Sequence, residues 1–229
     1  MATITTHIYP EHVTVANSTH HALIAGATGS GKSTFLHGVI TSILTKSPNE
    51  CQLVLIDPKR VELNRYKNTQ HCIAYECEAA GIERILNNCL VEVERRYKEM
   101  VSKEENEYKG TKICIVVEEL ADVFYMSKPA YVLLERLARI ARAANVQIIA
   151  ATQCILSEVI PTRLKMNLDL RVALPVATAH DSRIILDTKG AESLILGEAI
   201  IKIGCSVNKV TAHRIDDTER KNLIAFRHR

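Results

Sequence analysis

The segment from His21 to Thr34 constrains this chain most, because it joins a short apolar run to a glycine-rich loop and a helical pattern. Residues 21–25 predict a buried strand. Residues 26–33 read Gly-Ala-Thr-Gly-Ser-Gly-Lys-Ser and match the pattern G-x-x-x-x-G-K-[ST] at every fixed position. From residue 34 to 46, apolar residues recur at the spacing of a helix. A strand, a loop and a helix in this order are the context in which the pattern marks a phosphate-binding loop.

The chemistry expected of this loop follows from its residue types. Glycines let the backbone wrap an anion without Cβ clashes, and N–H groups of the loop and helix start point at it. Lys32 is predicted to reach the β- and γ-phosphates, and the Ser33 hydroxyl to bind Mg²⁺. The cofactors predicted are therefore ATP and Mg²⁺. The expected nucleotide contacts are Gly26, Ala27, Thr28, Gly29, Ser30, Gly31, Lys32, Ser33 and Thr34.

Further apolar runs alternate with helical patterns along the chain. Buried strands are predicted at 51–56, 112–119 and 146–153, with long helices over 76–100 and 130–144. This alternation predicts an α/β fold whose sheet is mainly parallel, with helices on both faces. Residues 198–204 and 206–215 are expected to pair as a C-terminal β-hairpin. The expected domains are an N-terminal extension over 1–20, one main domain over 21–215 and a charged helix or tail over 216–229.

Composition bears on the number of domains, the possible partners and the cellular location of the protein. The 229 residues suit one large domain, and Val13–Val15 predicts a short edge strand in the extension. The net charge of +3 permits nucleic-acid binding without arguing for it. The seven cysteines include no C-x-x-C pair, which favours reduced thiols. Because no signal peptide or membrane span is predicted, we expect a soluble, cytoplasmic protein without direct membrane insertion.

Two acids and a glutamine stand where strands are predicted to end. Glu118 and Glu119 end the predicted strand 112–119, and Gln153 ends the predicted strand 146–153. Beside a phosphate-binding loop, a carboxylate at a strand tip holds Mg²⁺, and a following Glu polarises the attacking water. Solvated acids at a strand end are the alternative. The loop upstream favours the catalytic interpretation for both acids.

The chain resembles the FtsK/SpoIIIE branch of the FtsK–HerA superfamily, whose members are hexameric ATPases that pump double-stranded DNA. The resemblance runs over roughly residues 20–204 and is carried by blocks at 23–33, 55–59 with 62–63, 94–97, 115–122, 137–139 with 142–144, 151–153, 181–187 and 190–192. It implies a RecA-like P-loop NTPase fold and a motor domain at 21–215. It places Glu118 at the magnesium-associated acid, Glu119 at the catalytic Glu and Gln153 at the sensor of the γ-phosphate.

The resemblance also implies contacts beyond a single subunit. Arg142 matches the position proposed for an arginine finger that acts on a neighbouring subunit, with Arg139, Arg95 or Arg183 as alternatives. A finger of this kind implies a ring, here a homohexamer, loaded onto DNA by an unknown partner. Pore loops of the family grip DNA phosphates, and the matching stretches here hold Arg163, Lys165 and Lys189.

Departures from the family shape the expected function. Glu118 stands in place of the usual Asp, and its extra methylene puts the ATPase rate in doubt. The sequence also lacks the membrane region and the C-terminal winged helix of full-length pumps, which predicts a stand-alone motor. We expect an ATP-driven translocase of double-stranded DNA that serves a phage, plasmid or other mobile element in packaging, transfer or partitioning. The alternatives are a related module acting on protein cargo, as in type VII secretion, and a nucleotide-binding adaptor with weak turnover.

Overall fold

A single mixed sheet organises the computed structural model, which describes residues 9–214 and 216–226. Its strand order is β3-β2-β4-β5-β1-β6-β7-β8. The first six strands along the chain pair in parallel, whereas the last two pair antiparallel. The strands are β1 (Ala22–Ala25), β2 (Cys51–Ile56), β3 (Cys72–Glu76), β4 (Lys112–Val117), β5 (Val146–Thr152), β6 (Leu170–Ala173), β7 (Glu198–Ile203) and β8 (Ser206–Thr211).

Helices cover both faces of this sheet. They are α1 (Pro10–Asn17), α2 (Lys32–Leu44), α3 (Ala79–Ser102), α4 (Leu120–Met126), α5 (Lys128–Ile140), α6 (Thr162–Lys165), α7 (Ala179–Leu186) and α8 (Asp217–Phe226), with short 3₁₀ turns at Asn64–Tyr66 and Ala191–Ser193. Helix α5 shows why such a segment starts where it does. The Ser127 hydroxyl accepts the N–H of Ala130, and Pro129 stands in the first turn, where its missing N–H costs nothing. None of the helices in the described residues is long and apolar enough to cross a bilayer.

The apolar strands build two cores because neighbouring side chains on a strand point to opposite faces. On β1, Leu23 and Ala25 join the core that includes α3, α4 and α5. Ala22 and Ile24, on the same strand, join the core formed with α1, α2 and α8. All four side chains are fully buried. The sheet is therefore covered on both sides, which confirms the predicted α/β class with a mainly parallel sheet.

The predicted hairpin is confirmed, since β7 and β8 pair antiparallel and turn at Gly204, whose φ is 58°. Three predicted segments reach outside the described residues: 1–8 of the extension, 215 at the end of the hairpin and 227–229 of the tail. The division into residues 1–20, 21–215 and 216–229 stays a prediction.

The predicted edge strand at Val13–Val15 is wrong, because these residues lie in α1. Pro10 fixes a helical φ at the first position of the helix. His12, Val15 and Ala16 are then buried on one side of it. A Cβ on Gly38 of α2 would lie within 2.6 Å of the His12 ring, so the two helices approach closely. Packing on α2 outweighs the strand preference of the two valines.

The end of the predicted helix over 130–144 is also wrong, since α5 stops at Ile140. The chain turns through 141–144, and Asn145 adopts a φ of 56°, a conformation that Asn tolerates better than most residues. Arg96 of α3 donates to the carbonyl of Ala144 at 2.8 Å and to that of Asn145 at 3.4 Å. This turn feeds the chain into β5, which lies between β4 and β1.

Candidate active site

The loop between β1 and α2 has the backbone shape of a phosphate cradle. Gly29 and Gly31 have φ values of 79° and 94°, in the left-handed region that favours glycine. A Cβ on Gly26 would lie 2.7 Å from the Cβ of Leu174, so the strand end also needs glycine. Since α2 begins directly after Gly31, the first N–H groups of the helix lie at the loop. An anion bound here meets these donors and the positive end of the helix dipole.

The lysine of the loop is held by the first strand-end acid. Lys32 Nζ donates to Glu118 Oε1 and to the Glu118 carbonyl oxygen, each at 3.0 Å. The two side chains are almost fully buried, with 2% and 3% of their surfaces exposed. Burial raises the pKa of the Glu118 carboxyl, and the charge of Lys32 opposes that rise. The other carboxylate oxygen of Glu118 is buried and has no hydrogen-bond partner among the described residues.

The oxygen donors beside this pair fit Mg²⁺ bound together with a nucleotide. Mg²⁺ keeps several waters and takes one or two protein oxygens plus phosphate oxygens. The unpartnered oxygen of Glu118 and the hydroxyl of Ser33 are donors of that kind. No group of three or more His, Cys, Asp or Glu side chains that could hold a metal occurs within 9–214 and 216–226. The ligand set therefore suits an ion held largely by phosphates.

The second acid and the predicted sensor glutamine meet at the end of β5. The Glu119 carboxylate accepts the Thr152 hydroxyl and, at 2.9 Å, the backbone N–H of Gln153. Gln153 Oε1 in turn accepts the Thr28 hydroxyl of the loop at 3.0 Å. The structure thus brings Lys32, Glu118, Glu119 and Gln153 together around one cradle. Sequence reasoning missed Thr152, although its place in the strand-end run Ala-Thr-Gln was a signal.

A second lysine faces the acids and was also missed. Lys59 follows β2, and its Nζ lies 3.2 Å from Asp122 Oδ2 on α4. Burial alone lowers the pKa of Lys59, but Asp122 and the charges of Glu119 and Glu118 outweigh it and raise that pKa. The sequence held a clue to this position, because Lys59 follows β2 and the parallel strands β2 and β4 end side by side. Lys59 therefore balances negative charge at the strand ends.

An apolar cleft of about 290 Å³ lies beside the loop. Thr34 and Phe35 of α2 form one side, and Leu196 and His213 lie among the other lining residues. Leu196 is 73% exposed, yet its side chain lies 3.8 Å from the position of a Cβ on Gly31. A flat, partly apolar group attached to a bound phosphate could enter this cleft. The nucleotide base is such a group, and no pattern in the sequence predicts where it would lie.

The arginines predicted as fingers lie at the end of the sheet where the parallel strands begin. The phosphate loop lies at the opposite end, where β1 stops. Arg142 Nη1 is 3.5 Å from Asp169 Oδ2, and its Nη2 is 3.3 Å from His20 Nε2. Arg139 on α5 is exposed, and no ion pair or hydrogen bond holds it within the described residues. Both arginines precede β5, whose seven residues span roughly 20 Å at about 3.3 Å per residue. Neither arginine can therefore reach the phosphate loop of the same chain.

Arg95 and Arg183, the other two candidate fingers, also differ in their polar contacts. Arg95 on α3 pairs with Glu92 at 2.7 Å and with Glu99 at 2.9 Å. Arg183 on α7 is exposed and donates to the carbonyl of Ala179 at 3.4 Å. Of these four arginines, Arg139 thus has the fewest polar contacts within the described residues.

The three cations predicted to bind DNA have different surroundings. Arg163 has 74% of its side chain exposed and pairs with Glu135 at 2.7 Å. Lys189 is exposed on the loop after α7. Lys165 has only 13% of its side chain exposed and lies 2.7 Å from Asp187, which also pairs with Arg171 and Lys202. The structure therefore presents Arg163 and Lys189 to solvent and uses Lys165 inside an ion cluster.

Comparison with known sequences gives consistent matches. The model of the FtsK/SpoIIIE family matches residues 9–191. A DNA translocase FtsK of Halalkalibacterium halodurans is 36% identical over 92% of this chain and 30% of the relative. The DNA translocase SpoIIIE of Bacillus subtilis is 38% identical over 78% of this chain and 26% of the relative. The chain thus spans less than a third of the length of these two relatives.

Solved structures share the fold. The pCW3 conjugation coupling protein TcpA, solved as a monomer with ATPγS, superposes with a TM-score of 0.81 at 22% identity, over 92% of this chain and 66% of TcpA. The cytoplasmic domain of the Thermomonospora curvata type VII secretion ATPase EccC gives 0.75 at 19% identity, over 91% of this chain and 28% of EccC. At these identities, the two structures establish the fold as that of P-loop ATPases.

Proposed function

Since the chain belongs to the FtsK/SpoIIIE family, we propose that it is an ATPase that moves double-stranded DNA through a ring of identical subunits. The observation that carries the proposal is the convergence of Lys32, Glu118, Glu119 and Gln153 on one phosphate cradle. These groups come from the loop, β4 and β5, so the parallel sheet itself assembles them.

Each of these side chains has a role that its position supports. Lys32 neutralises charge on the β- and γ-phosphates once it leaves Glu118. Glu119 orients the attacking water and accepts its proton, as a general base within hydrogen-bond reach does. Gln153 is tied to Thr28 of the loop, so a shift of the loop around the γ-phosphate is passed to the end of β5.

Ser33 and Glu118 are the protein ligands we propose for Mg²⁺. Held there, the ion would supply positive charge that offsets the negative charge of phosphoryl transfer. The buried, unpartnered oxygen of Glu118 supports this assignment. The apolar cleft at Phe35, Leu196 and His213 is the proposed site of the base.

The test of the proposal is the rate of phosphate release from ATP with and without duplex DNA, at protein concentrations that allow assembly. We expect duplex DNA to raise the rate in the wild type. Glu119→Gln should keep nucleotide binding and lose about 10²-fold or more in rate, because it removes the general base. A wild-type rate that DNA leaves unchanged would reject the translocase.

The grip on DNA is proposed to come from Arg163 and Lys189, whose side chains are exposed. Lys165 remains a proposed DNA contact of smaller weight, because Asp187 and the Ile184 carbonyl hold its amine. Removal of one cation that binds a phosphate should reduce the slope of log affinity against log salt by about 1. Filter binding of duplex DNA by R163A and K189A variants measures that slope. Lys109→Ala, which removes an exposed lysine paired with Glu105, is the control and should leave the slope unchanged.

The ring is proposed from the position of the arginines. Arg139 and Arg142 lie at the opposite end of the strands from the phosphate loop. An arginine can therefore reach that loop only from a neighbouring subunit. A head-to-tail homohexamer, as the family resemblance implies, supplies that neighbour. We place this activity in the cytoplasm, in the service of a plasmid, phage or conjugative element. The fold shared with a conjugation coupling protein supports the mobile-element part of the proposal.

A second candidate function is an ATPase that acts on protein cargo. The fold shared with a type VII secretion ATPase is the observation that favours it. Filter binding at low and high salt separates the two, because DNA held through phosphates dissociates as salt rises. Retention of duplex DNA at low salt, lost at high salt, supports the DNA motor, and no retention at either favours the protein cargo.

A third candidate is a nucleotide-binding adaptor with weak turnover. The buried pair of Lys32 and Glu118 favours it, since a lysine held by a carboxylate is less available to phosphates. Turnover of the wild type and of Glu118→Asp distinguishes this candidate. Slow wild-type turnover that Asp restores supports the adaptor, whereas brisk wild-type turnover rejects it.

A further inference from the structure

One carboxylate at the end of α7 holds three cations together. Asp187 follows this helix, and its oxygens lie 2.7 Å from Lys165 Nζ of α6 and 3.2 Å from Lys202 Nζ of β7. Arg171 of β6 also donates to Asp187 Oδ2. These four residues form the Asp187 cluster. Among the residues that the structure describes, its three cations pair with no other carboxylate, so each depends on Asp187 for its counter-charge.

The cations of the cluster also close the carboxyl end of α7. Backbone carbonyls in the last turn of a helix have no partner within the helix. Here Lys165 Nζ donates to the carbonyl of Ile184 at 3.0 Å, and Lys202 Nζ to that of Leu186 at 2.6 Å. Their positive charges also suit the negative end of the helix dipole. Side chains from α6 and β7 thereby fix one end of α7.

Both exposed cations proposed to grip DNA lie beside this cluster in the chain. Arg163 lies on α6 together with Lys165, and Lys189 lies two residues after Asp187. The loop that carries Lys189 is also held to α7, because the Ser182 hydroxyl donates to the carbonyl just before Lys189 at 2.8 Å. The cluster therefore fixes both of the segments that present these cations.

Strand β6 joins the cluster to the phosphate loop. Arg171 is the second residue of β6, and Leu174 directly follows the strand. The N–H of Leu174 donates to the carbonyl of Ala25 at 2.8 Å, and the N–H of Ala27 donates to that of Pro175 at 3.0 Å. One continuous strand thus has the Asp187 cluster near its start and the phosphate loop at its end.

We infer that Asp187 is a positioning residue that couples bound DNA to the turnover of ATP. Its carboxylate holds α6 and the loop of Lys189 on β6, so a displacement of these segments by a duplex is passed to the phosphate loop. Without the carboxylate, the like charges of three neighbouring cations repel one another, and the two segments can move independently of β6. The inference rests on the proposed DNA grip and goes beyond it, since it assigns an acid that does not itself bind DNA phosphates.

The experiment measures phosphate release against the concentration of duplex DNA, for the wild type and Asp187→Asn, together with filter binding of the same duplex. Stimulation is the rate at saturating DNA divided by the rate without DNA. We expect Asp187→Asn to lower the stimulation by about fivefold or more, the lower end of the usual coupling between two sites. Duplex affinity should not fall, because the variant removes a negative charge beside cations.

Two further variants test whether the charge of Asp187 is responsible. Asp187→Glu keeps the carboxylate and should recover part of the stimulation. Lys202→Met removes a cation of the cluster that is not proposed to bind DNA, and it should lower the stimulation less than Asp187→Asn does. If Asp187→Asn does not fold, Lys202→Met decides the question, and an unchanged stimulation in that variant overturns the inference.

Asp181→Asn is the matched control on the same helix. Asp181 lies at the amino end of α7, opposite the cluster, where its carboxylate accepts the N–H of Thr178 at 3.0 Å. This variant changes an aspartate of α7 without touching the three cations. It should leave the stimulation at the wild-type value.

The outcomes separate the inference from the function beneath it. Unchanged stimulation in a folded Asp187→Asn overturns the role of Asp187, while the DNA-driven ATPase stands. A parallel loss of stimulation, duplex affinity and melting temperature also overturns it, because damage to the fold explains all three. A wild type that duplex DNA does not stimulate rejects the proposed function and the inference with it.

Discussion

At the scale of single residues, the contact between Lys32 and Glu118 governs how the site receives a nucleotide. The lysine that is meant for phosphates is bound to a carboxylate whose extra methylene, relative to Asp, lengthens its reach. Two of the three N–H donors of the Lys32 ammonium are committed to Glu118. A bound phosphate would therefore compete with this carboxylate for the charge of Lys32.

Loss of this lysine should weaken the fold as well as the site. Lys32→Ala leaves the Glu118 carboxylate buried without its cation, which typically costs about 3 kcal/mol or more of unfolding free energy. Urea unfolding without nucleotide measures the change. The double variant with Glu118→Gln should recover much of the loss, because it removes the stranded charge.

An exposed pair provides the comparison for this prediction. Lys109 and Glu105 lie 3.2 Å apart, with 79% of the lysine side chain exposed. Lys109→Ala should change the stability by less than about 1 kcal/mol. A Lys32→Ala protein that is as stable as Lys109→Ala would show that the buried pair contributes little to the free energy of unfolding.

Single residues differ in how well the sequence predicts their place. Lys32, Glu118 and Glu119 were predicted because a motif or a strand end marks each of them. The contact of Glu62 with His37 of α2, at 2.8 Å, was not predicted, because it depends on the path of the chain between β2 and β3. No local pattern encodes such a contact. Only the folded positions of α2 and the loop after β2 reveal it.

At the scale of elements, α1 is a small helix with a large effect on the interior. It places the ring of His12 against Phe35 of α2, with ring centroids 4.8 Å apart, and both ring nitrogens are buried without a hydrogen bond among the described residues. Burial lowers the pKa of His12 to about 4, with Glu11 opposing and His213 assisting that shift. Helix α1 therefore depends on a neutral histidine.

This dependence predicts a loss of stability in acid. Burial lowers the pKa values of His12, His21 and His37 to about 4, from an ordinary value of 6.5. Between these values the unfolded chain binds more protons than the folded one, so stability rises with pH. It is fully present above 6.5 and is lost as the pH falls toward 4. Urea unfolding across this window should show a slope of about 1.4 kcal/mol per pH unit for each histidine.

Substitution of one histidine tests the origin of that slope. His12→Leu replaces the imidazole with an apolar side chain of similar size that cannot bind a proton. It should lower the slope by the contribution of one histidine, about 1.4 kcal/mol per pH unit. His180→Leu, which changes an exposed histidine on α7, should leave the slope unaltered. A wild-type stability that is flat across the window would contradict the prediction.

Elements were predicted best where one signal dominated. The apolar runs of β2, β4 and β5 are unbroken, so the type of each strand could be predicted. The predicted strands ran on to Glu119 and Gln153, whereas β4 ends at Val117 and β5 at Thr152. The interior valines of α1 signalled a strand, and only burial against α2 decided for a helix. The end of α5 depended on Arg96, a residue of α3 that binds the carbonyls of the following turn. Contacts of this range lie outside any local window.

At the scale of the whole molecule, the parallel sheet separates two halves of a proposed shared site. The phosphate loop follows the carboxyl end of β1, and Arg139 and Arg142 precede the amino end of β5. Because β1 and β5 are parallel neighbours, the two halves lie at opposite ends of these strands. A second copy placed head to tail brings one half to the other.

Mixing of variants tests this arrangement. Arg139→Ala alone should lose about 10³-fold in ATPase rate if it is the finger, and Glu119→Gln alone is also inactive. A mixed assembly contains sites where an intact loop of an Arg139→Ala subunit faces the Arg139 of a Glu119→Gln subunit. We therefore expect the mixture to regain activity that neither variant has, measured as phosphate release.

The same experiment with Arg142→Ala identifies which arginine acts. Arg142 is engaged with Asp169 and His20, whereas Arg139 is not, so recovery should be larger in the Arg139→Ala mixture. Mixtures that never exceed the sum of the separate rates would show that the arginines do not act between subunits.

The opposite placement of loop and arginines also gives any such assembly a direction. Two copies related by a twofold axis meet through the same patch on each copy and close on themselves, so a pair of this kind has no direction. Copies stacked head to tail all point the same way around the ring, and the two mouths of its channel are then chemically different. A duplex that enters one mouth meets a different order of side chains from one that enters the other. The polarity of a single β-sheet would in this way become the polarity of transport.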